Sequence, residues 1–522
     1  MTVQTQLHHL IAEQVRCHAD RPALTADETT ISYTELWIDC IEIAAGLRSL
    51  GIARGDRVGI YLEKRIEAVV APFATSAAGG VFVPVNPLLR AHQVGHILAD
   101  SGARVLVTSA ERLGPLADEL DVLDSLEHII VVGGAADAPP PRGCTVHDWD
   151  ELRAEEVVDS GRIDVDVAAI LYTSGSTGQP KGVVLSHRNL LAGAHSVSQY
   201  LSNHEGDRLL AVLPLSFDAG FSQLTTAFTV GAQSVLVNYL LPRDVVRLCA
   251  EHSITGLTCV PPLWNQLVEC EWDKRASASM RYFASTGGRM PRPTLARLRK
   301  IFPRAKPYLM YGLTEAFRST YLDPAQVDAR PDSIGKAIPN AEVLVVREDG
   351  SECDPGEVGE LVHRGALVAL GYWNDPVRTA TRFRPAPGRN PALCTNETAV
   401  FSGDLVKRDA EGFLYFVGRT DEMIKTSGYR VSPTEIEQVA HGTGLIGDAV
   451  ALGVDDERVG QRIVLVASPA NGRFEPEELL AELRRELPLY MVPDRVVVRP
   501  SLPRSPNNKI DRNLVREEVN AA

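Results

Sequence analysis

Short apolar runs alternate with helix-like segments over the first two thirds of this chain. Residues 56–62, 81–85 and 104–107 read as strands, and residues 66–78 and 91–101 between them read as helices. Further strands are predicted at 128–132, 168–172, 209–213, 234–237, 282–285 and 307–310. Because strands that alternate with helices of about 10–15 residues build parallel sheets covered by helices, the pattern predicts an α/β fold. Such sheets bind ligands at the carboxyl ends of their strands.

The length of the chain predicts more than one domain. Its 522 residues exceed what one hydrophobic core serves, since cores stop growing near roughly 250–300 residues. From about residue 335 the pattern changes to short strands and turns, and a last helix-and-strand unit follows Asp421. We predict a large N-terminal domain, residues 1–420, of helix-covered sheets plus a β-rich subdomain. Residues 421–522 are predicted to form a small, mobile C-terminal α+β domain.

Charge, cysteine spacing and the N-terminal residues bear on the partners and the cellular compartment of the protein. A net charge of −14 argues against duplex nucleic acid as the main partner, since phosphate contacts need an excess of Lys and Arg. The eight cysteines show no C-x-x-C spacing, so we expect buried thiols in a reducing cytosol rather than a zinc site or disulfides. The first residues lack the basic start and apolar run of a signal peptide. We therefore expect a cytoplasmic protein.

One stretch is long and apolar enough to be weighed as a membrane span. Residues 68–85 carry no charge, which is near the lower length limit for a transmembrane helix. The stretch contains Pro72, Gly79, Gly80 and Pro84, which suit turns rather than one continuous helix. A buried helix, a Gly-Gly turn and a buried strand explain it better, so we predict no membrane span.

A loop of small and hydroxyl residues follows the predicted strand at 168–172. Its glycines let the backbone approach phosphate oxygens, its hydroxyls add donors, and Lys181 adds a charge. A Walker loop requires G-x-x-x-x-G-K-[ST], but Lys181 lies between Pro180 and Gly182, so that interpretation fails. A G-x-G-x-x-G dinucleotide fingerprint is absent from this loop. We predict that phosphate binds here, at Thr173, Ser174, Gly175, Ser176, Thr177, Gly178 and Lys181.

At this loop the sequence resembles a known family. The run LYTSGSTGQPKGVVLSH is similar to the signature of the AMP-forming adenylating superfamily, which includes acyl-CoA synthetases, nonribosomal peptide adenylation domains and luciferase. The chain especially resembles free-standing amino-acid–carrier-protein ligases and the AMP-forming ligases found with exosortase systems. Further motifs follow in family order between residues 172 and 512, so the resemblance covers nearly the whole chain. It implies ATP and Mg²⁺ as cofactors, and CoA or carrier-protein phosphopantetheine as acceptor.

A second motif, Tyr311-Gly312-Leu313-Thr314-Glu315, follows the predicted strand at 307–310. An aromatic ring can stack on adenine, a hydroxyl can bind phosphate, and a carboxylate can hold Mg²⁺. The resemblance implies that Tyr311 stacks the base, Thr314 contacts phosphate and Glu315 binds the metal, the last two as catalytic residues. Gly312 belongs to the same nucleotide-binding motif, and Gly287 and Gly288 resemble the glycine pair that lies along the adenine.

The remaining motifs lie towards the C-terminus. Asp404 matches the family's ribose carboxylate, Arg419 the arginine that also reaches the ribose, and Asp421 the hinge between domains. Residues 423–431, which contain Lys425 and Gly428, resemble the strip that faces the active site during thioester formation, where Gly428 leaves bare backbone for a thiol arm.

Near the end of the chain, PNNKIDR resembles the family's P-x-G-K-x-D motif and makes Lys509 the catalytic lysine. A mobile ammonium there would stabilise the negative charge that builds at the α-phosphorus. Asn508 stands where the family has Gly, and Asn tolerates a left-handed backbone better than most residues. We therefore expect the motif to remain functional.

The acid that is activated is predicted from Phe217 and Asp218, which should line the acyl pocket. In amino-acid-activating relatives an aromatic residue precedes an Asp that pairs with the α-ammonium, whereas many fatty and aryl ligases read P-L-F-H-x-x-G here. A buried carboxylate without a cation is costly, so Asp218 favours an amine-bearing acid. We favour an amino acid such as proline, loaded onto carrier-protein phosphopantetheine; the alternative is an acyl-CoA ligase acting on an uncharged acid. The alternative that Asp218 is only a solvated or backbone-capping residue at the end of a strand is left open.

Functions of other classes receive less support. A luciferase-like oxygenase would share the fold, but no residue demands oxygen chemistry. A non-catalytic nucleotide-binding relative would be expected to lose Lys509, Glu315 or Asp404, and all three are present. An aminoacyl-tRNA synthetase also makes adenylates, but the chain lacks HIGH-like and KMSKS-like motifs.

Overall fold

The computed structural model describes residues 4–134, 141–154, 161–173, 180–388, 392, 397–419, 423–470, 474–503 and 510–521. Three sets of predicted site residues lie outside this part of the chain: Ser174–Gly178 of the phosphate loop, the hinge residue Asp421, and Lys509. The predicted domain boundary at residue 421 therefore also stays a prediction.

The helices and strands alternate as the sequence pattern predicts. The α-helices are α1 (His9–His18), α2 (Tyr33–Ser49), α3 (Ile66–Ala78), α4 (Ala91–Ser101), α5 (Ala110–Leu120), α6 (His187–Leu201), α7 (Asp218–Val230), α8 (Pro242–Glu251), α9 (Pro261–Leu267), α10 (Lys274–Ser279), α11 (Arg292–Ile301), α12 (Pro376–Arg382), α13 (Pro433–Gly442), α14 (Pro476–Glu486) and α15 (Arg512–Ala521). Short 3-10 turns cover Thr314–Ala316, Pro324–Gln326 and Leu489–Met491.

The strands are β1 (Pro22–Ala26), β2 (Thr29–Ser32), β3 (Arg57–Tyr61), β4 (Val81–Pro84), β5 (Val105–Ser109), β6 (His128–Val132), β7 (Thr145–Asp148), β8 (Val167–Thr173), β9 (Lys181–Ser186), β10 (Arg208–Ala211), β11 (Gln233–Leu236), β12 (Gly256–Cys259), β13 (Tyr282–Ser285), β14 (Lys306–Tyr311), β15 (Thr320–Leu322), β16 (Ser333–Ala337), β17 (Ala341–Val346), β18 (Val358–Gly365), β19 (Gly371–Tyr372), β20 (Phe383–Pro385), β21 (Thr398–Arg408), β22 (Leu414–Arg419), β23 (Ile424–Thr426), β24 (Tyr429–Val431), β25 (Ile446–Asp456), β26 (Gly460–Pro469) and β27 (Arg495–Val498).

Three sheets organise these strands. The largest runs in the order β17-β18-β21-β22-β16-β15-β14-β13-β12-β10-β11-β1-β2, with β20 paired to β21. Its middle part, from β14 to β11, is parallel, and the part beyond β14 is antiparallel. The second sheet runs β19-β9-β8-β4-β3-β5-β6-β7 and is parallel from β8 to β7. The fold is therefore mixed α/β, as predicted, with the hairpins expected after residue 335 forming the antiparallel part.

The uncharged stretch at 68–85 folds as a buried helix, a turn and a strand, which confirms the prediction. Every residue of α3 from Ala68 to Ala78 is buried, so the helix packs against protein on all sides. Gly79 ends α3 with φ of 88°, a left-handed conformation that glycine adopts without strain. The chain then enters the buried strand β4. No described helix is long and apolar enough to cross a membrane.

A third sheet, β24-β23-β26-β25 with β27 beside β26, is built only from residues after 423. We call the described residues 423–521 the C-terminal unit. One sheet face packs on α13 and α14 through Ile436, Leu465 and Leu483, and the other packs near α15 through Val464 and Val515. The unit thus has apolar cores on both faces of its own sheet.

The parallel strands decide where a site can form. Because β10, β12, β13 and β14 run parallel, their carboxyl ends emerge along one edge of the largest sheet. The predicted motif residues 217–218, 287–288 and 311–315 all follow these strands. Segments far apart in the sequence therefore meet at this edge.

Candidate active site

A cavity of about 580 Å³ lies between this sheet edge and the C-terminal unit. Of the residues predicted from the sequence, its wall contains Thr173, Phe217, Asp218, Gly287, Gly312, Thr314, Glu315, Asp404, Lys425 and Gly428. These residues come from both large sheets and from the C-terminal unit. The fold thus collects the described motifs into one site.

The described ends of the phosphate loop lie at one side of this cavity. Thr173 ends β8 and Lys181 begins β9, and the two residues are directly paired across these antiparallel strands. The predicted loop therefore joins two strands of a hairpin. A Walker loop instead joins a strand to a helix, so the hairpin agrees with the rejection of that interpretation.

A buried ion pair stands next to the loop. The Lys181 Nζ atom donates to Glu315 Oε1 at 2.7 Å and to the Tyr372 hydroxyl oxygen at 2.7 Å. The Tyr372 hydroxyl donates to the same Glu315 oxygen at 2.7 Å. Sequence reasoning identified Lys181 and Glu315 but missed Tyr372. This residue lies on β19, the strand that pairs with β9, and it carried no motif signal of its own.

Electrostatics keep this pair charged. Burial alone would raise the pKa of Glu315, but the charges of Lys181 and Arg430 outweigh it and hold that pKa well below its usual value. Burial lowers the pKa of Lys181, and the Glu315 charge opposes this shift. Burial together with the Glu315 charge raises the pKa of Tyr372, so its hydroxyl stays protonated and remains a donor.

An ionised Glu315 fits a metal-binding role. The described residues contain no group of three or more His, Cys, Asp or Glu side chains placed to hold a metal ion. Mg²⁺ is commonly held by one or two carboxylates, with phosphate oxygens and water completing its shell. Glu315 could therefore bind Mg²⁺ that arrives with a nucleotide.

Three of the residues predicted to bind adenosine lie in the antiparallel part of the largest sheet and at its border, on β14, β21 and β22. The Tyr311 hydroxyl donates to Asp404 Oδ2, and Asp404 is buried. Asp404 on β21 pairs directly with Arg419 on β22, so the two predicted ribose residues lie opposite each other. The His363 ring stacks behind Tyr311 at 6.3 Å between centroids and 13° between planes.

The side of the cavity that is predicted to hold the acyl group contains Asp218, the first residue of α7. The Thr314 hydroxyl donates to Asp218 Oδ1 at 3.2 Å. Burial raises the pKa of Asp218, and the nearby Arg318 guanidinium opposes this shift. Arg318 is itself 4% exposed and donates to the Thr286 hydroxyl at 2.7 Å. Asp218 thus has a cation nearby within the protein, which sequence reasoning missed although Arg318 follows Glu315 by three positions.

The predicted thiol strip forms a tight hairpin over the cavity. Gly428 lies at its tip with φ of 83°, and an added Cβ would come within 2.8 Å of the Val260 side chain. Only glycine therefore fits this approach. Across the gap, an added Cβ on Gly287 would lie 4.0 Å from the Gly428 carbonyl oxygen. Tyr429 beside the tip stacks on Tyr490, with 3.8 Å between ring centroids.

Comparison with known proteins agrees with this geometry. The chain matches the family model of the AMP-binding enzyme over residues 11–373 and that of the AMP-binding enzyme C-terminal domain over residues 435–509. It is 34% identical over 517 residues to the L-proline–[L-prolyl-carrier protein] ligase of Streptomyces coelicolor, which covers 95% of this chain and 93% of that one. It is 30% identical over 543 residues to a long-chain-fatty-acid–CoA ligase of Escherichia coli, which covers 98% and 94%.

Among solved structures, o-succinylbenzoate CoA synthetase of Bacillus subtilis superposes with a TM-score of 0.83, at 26% identity over 98% of both chains. Other relatives are much longer, and the chain spans 11% of the length of gramicidin S synthase 2 of Aneurinibacillus migulanus. Two of these relatives are named as ligases of an acid with a carrier protein or with CoA. Because the first family model alone spans well over half of the residues, the chain belongs to the AMP-binding enzyme family.

Proposed function

We propose that this chain is an AMP-forming carboxylate–thiol ligase that activates an amino acid such as proline and loads it onto carrier-protein phosphopantetheine. The observation that carries the proposal is Asp218, a carboxylate in the cavity wall bonded to the Thr314 hydroxyl of the nucleotide motif. A carboxylate beside the reacting centre suits the α-ammonium of an amino acid. The relative named as a prolyl-carrier-protein ligase adds support.

In the first half-reaction, a carboxylate oxygen of the acid attacks the α-phosphorus of ATP and pyrophosphate leaves. We assign Lys181, Thr314 and Glu315 to the phosphates, and Mg²⁺ held by Glu315 would neutralise phosphate charge. Tyr311, Gly312, Gly287, Gly288, Asp404 and Arg419 are assigned to the adenosine. Lys509, which lies outside the described residues, is assigned to the charge that develops on the attacked phosphate and carboxylate.

In the second half-reaction, a thiol attacks the acyl carbonyl, the thiol proton is released, and AMP leaves. We assign Lys425 and Gly428 to this step, because the hairpin that carries them covers the cavity and Gly428 offers bare backbone to an incoming arm. Between the steps the C-terminal unit rotates, with Asp421 proposed as the hinge. The present arrangement suits thioester formation.

An acyl-CoA ligase acting on an uncharged acid is the second candidate. The observation that favours it is Arg318, a buried cation that already offsets the charge of Asp218. With this partner, the carboxylate does not require an ammonium from the substrate.

Substituting Asp218 with asparagine separates the two candidates. If Asp218 pairs with an ammonium, the variant should lose roughly 10- to 100-fold in kcat/KM for the amino acid, the value of a hydrogen bond to a charged group. The measurement is acid-dependent pyrophosphate exchange across amino, fatty and aryl acids, followed by thioester assays with CoA and with carrier protein. An Asp328→Asn variant, changed at an exposed ion pair, is the control. A variant that keeps its preference for an amino acid would reject the ammonium role.

A further inference from the structure

The C-terminal unit is held on the rest of the molecule by side chains that none of the assigned steps uses. Arg90, just before α4, donates from Nη2 to the Arg484 carbonyl oxygen at 2.8 Å. Its Nε and Nη2 atoms each lie 3.3 Å from the Leu487 carbonyl oxygen. Both carbonyls belong to the end of α14 or the residue after it. One guanidinium therefore caps a helix of the C-terminal unit from the opposite side of the interface.

This cap has a clear physical benefit. The last carbonyls of a helix have no partner within the helix, and they form the negative end of its dipole. A guanidinium offers several donors in a fixed planar arrangement and keeps its charge at any ordinary pH. Arg90 therefore donates to two carbonyl oxygens and places a positive charge at the negative end of the α14 dipole. Both contacts require α14 to keep its present position.

A second contact lies one turn along α4. The Gln93 Nε2 atom donates to Glu435 Oε1 at 2.8 Å, and both residues are buried. The other end of the same amide, Oε1, accepts the Arg90 backbone N–H at 3.0 Å. Gln93 thus fixes the start of α4 and binds α13 of the C-terminal unit at once.

A third contact comes from α9, the helix that follows β12 of the largest sheet. Asn265 on α9 donates from Nδ2 to the Glu457 carbonyl oxygen at 2.8 Å and to the Arg458 carbonyl oxygen at 3.2 Å. Thr294 donates to the Asn265 Oδ1 atom at 2.7 Å, which orients the amide. The C-terminal unit is therefore held both from the start of α4, which follows β4 of the second sheet, and from α9, which follows β12 of the largest sheet.

We propose that Arg90, Gln93 and Asn265 are positioning residues for thioester formation, which hold the C-terminal unit in the arrangement that presents Gly428. The inference rests on the proposed two-step function. The acceptors are backbone carbonyl oxygens and one side-chain carboxylate of the C-terminal unit. A large rotation of that unit would separate every donor from its acceptor, so these contacts favour the second half-reaction only.

The test separates the two half-reactions in the full-length chain with Arg90→Met and Asn265→Ala variants. Thioester formation is measured from supplied prolyl-adenylate, or the adenylate of the acid that exchanges fastest, with pantetheine as acceptor. Each variant should slow this step about 10-fold or more, while pyrophosphate exchange stays within about 2-fold of wild type. Arg304→Met is the matched control, because exposed Arg304 also donates to a backbone carbonyl, that of Ala278, but within one side of the interface.

The possible outcomes are distinct. If the wild type performs both steps and the variants keep the wild-type thioester rate, the positioning role is overturned and the proposed function stands. Equal losses in both steps, together with a lower melting temperature, would mean a purely structural role and also overturn it. If none of the tested acids supports pyrophosphate exchange by the wild type, the proposed function fails, and this inference fails with it.

Protonation of Glu435 provides a second readout of the same interface. The groups that face Glu435 are Gln93 on α4 and Tyr490 in the turn Leu489–Met491. Burial raises the pKa of Glu435 to about 7, and the Gln93 hydrogen bond opposes this shift. A rotation that exposes Glu435 would return its pKa towards the ordinary value of about 4.3.

The sign of the pH effect follows from that difference. The present arrangement binds the proton more tightly, so its advantage is fully present below about pH 4.3 and is lost as pH rises from there through about 7. The wild-type thioester rate, divided by that of a Glu435→Gln variant, should therefore fall between about pH 5 and pH 7 and level off above about pH 7. Taking the ratio removes the rate change that comes from ionisation of the thiol itself. A flat ratio would show that Glu435 is not protonated in this arrangement.

Discussion

Replacing Lys509 with alanine is expected to lower acid-dependent pyrophosphate exchange by roughly 10²- to 10³-fold, the usual effect of removing one group that stabilises transition-state charge. Thioester formation from a supplied acyl-adenylate should be spared. The reason is chemical: negative charge builds on the attacked phosphate only in the first step, so an ammonium assigned there has no task in the second. The assignment comes from the sequence motif at residues 506–512.

A matched control is needed because a C-terminal lysine is more often only a solvated charge. Lys300→Ala, at an exposed position on α11, should leave both half-reactions unchanged. Exchange that persists in the Lys509→Ala enzyme would contradict the catalytic assignment. Equal losses in both half-reactions would also count against it, since they would indicate damage to the C-terminal unit as a whole.

Replacing Glu315 with glutamine is expected to affect stability as well as catalysis. The Glu315 and Lys181 side chains are only 6% and 11% exposed, so the variant leaves a buried ammonium without its carboxylate. Breaking a buried pair in this way costs about 3–5 kcal/mol of unfolding free energy. Exchange should fall by roughly 10²- to 10³-fold, because the charge assigned to hold Mg²⁺ is lost.

The pH dependence of that stability loss has a defined sign. Lys181 and Arg430 hold the pKa of Glu315 below its unfolded value, so the pair stabilises the fold at neutral pH. This contribution is lost as pH falls below about 4.3, where the unfolded carboxyl binds its proton. Denaturant unfolding at neutral and acidic pH should therefore show the difference between wild type and variant shrinking in acid.

Glu342→Gln is the control for this measurement. Glu342 also pairs with an arginine, Arg364, at 2.7 Å, but its side chain is 54% exposed. Exposed pairs contribute about 0–1 kcal/mol, so this variant should unfold like the wild type. If Glu315→Gln is no less stable than Glu342→Gln at neutral pH, the buried pair does not stabilise the fold as described.

Every helix and strand that was predicted with bounds from local sequence patterns overlaps an element of the structure. The helices at 66–78 and 91–101 and the strands at 128–132 and 282–285 have the predicted bounds. In each case apolar periodicity is interrupted by Gly, Pro or charged residues within a few positions. Such signals act within one or two turns of chain, which is why they can be read without knowing the fold.

The stretch at 68–85 and the site motifs could also be interpreted from local sequence alone. Its glycines and prolines predicted a turn between a buried helix and a strand, and that is the structure found. Each site motif is likewise a contiguous run, whose residue types suit one chemical task. The motifs could therefore be identified separately before their spatial relation was known.

Contacts between distant segments could not be predicted in this way. Lys181 and Glu315 were each identified, but Tyr372 joins them only because β19 pairs with β9. The partner of a buried charge depends on which strands are neighbours, and no local pattern carries that information. The same is true of Arg318 beside Asp218, where the cation expected from a substrate is partly supplied by the protein.

The arrangement of the C-terminal unit is the strongest example. A short motif around Gly428 predicted a strip that faces the incoming thiol. Because the motif is local, it gives no information on where the C-terminal unit lies. That the strip lies over the cavity, held by Arg90, Gln93 and Asn265, follows from packing between segments hundreds of residues apart. Residue identity is sufficient to indicate the chemistry, whereas charge neutralisation and orientation arise from long-range contacts that form only in the folded chain.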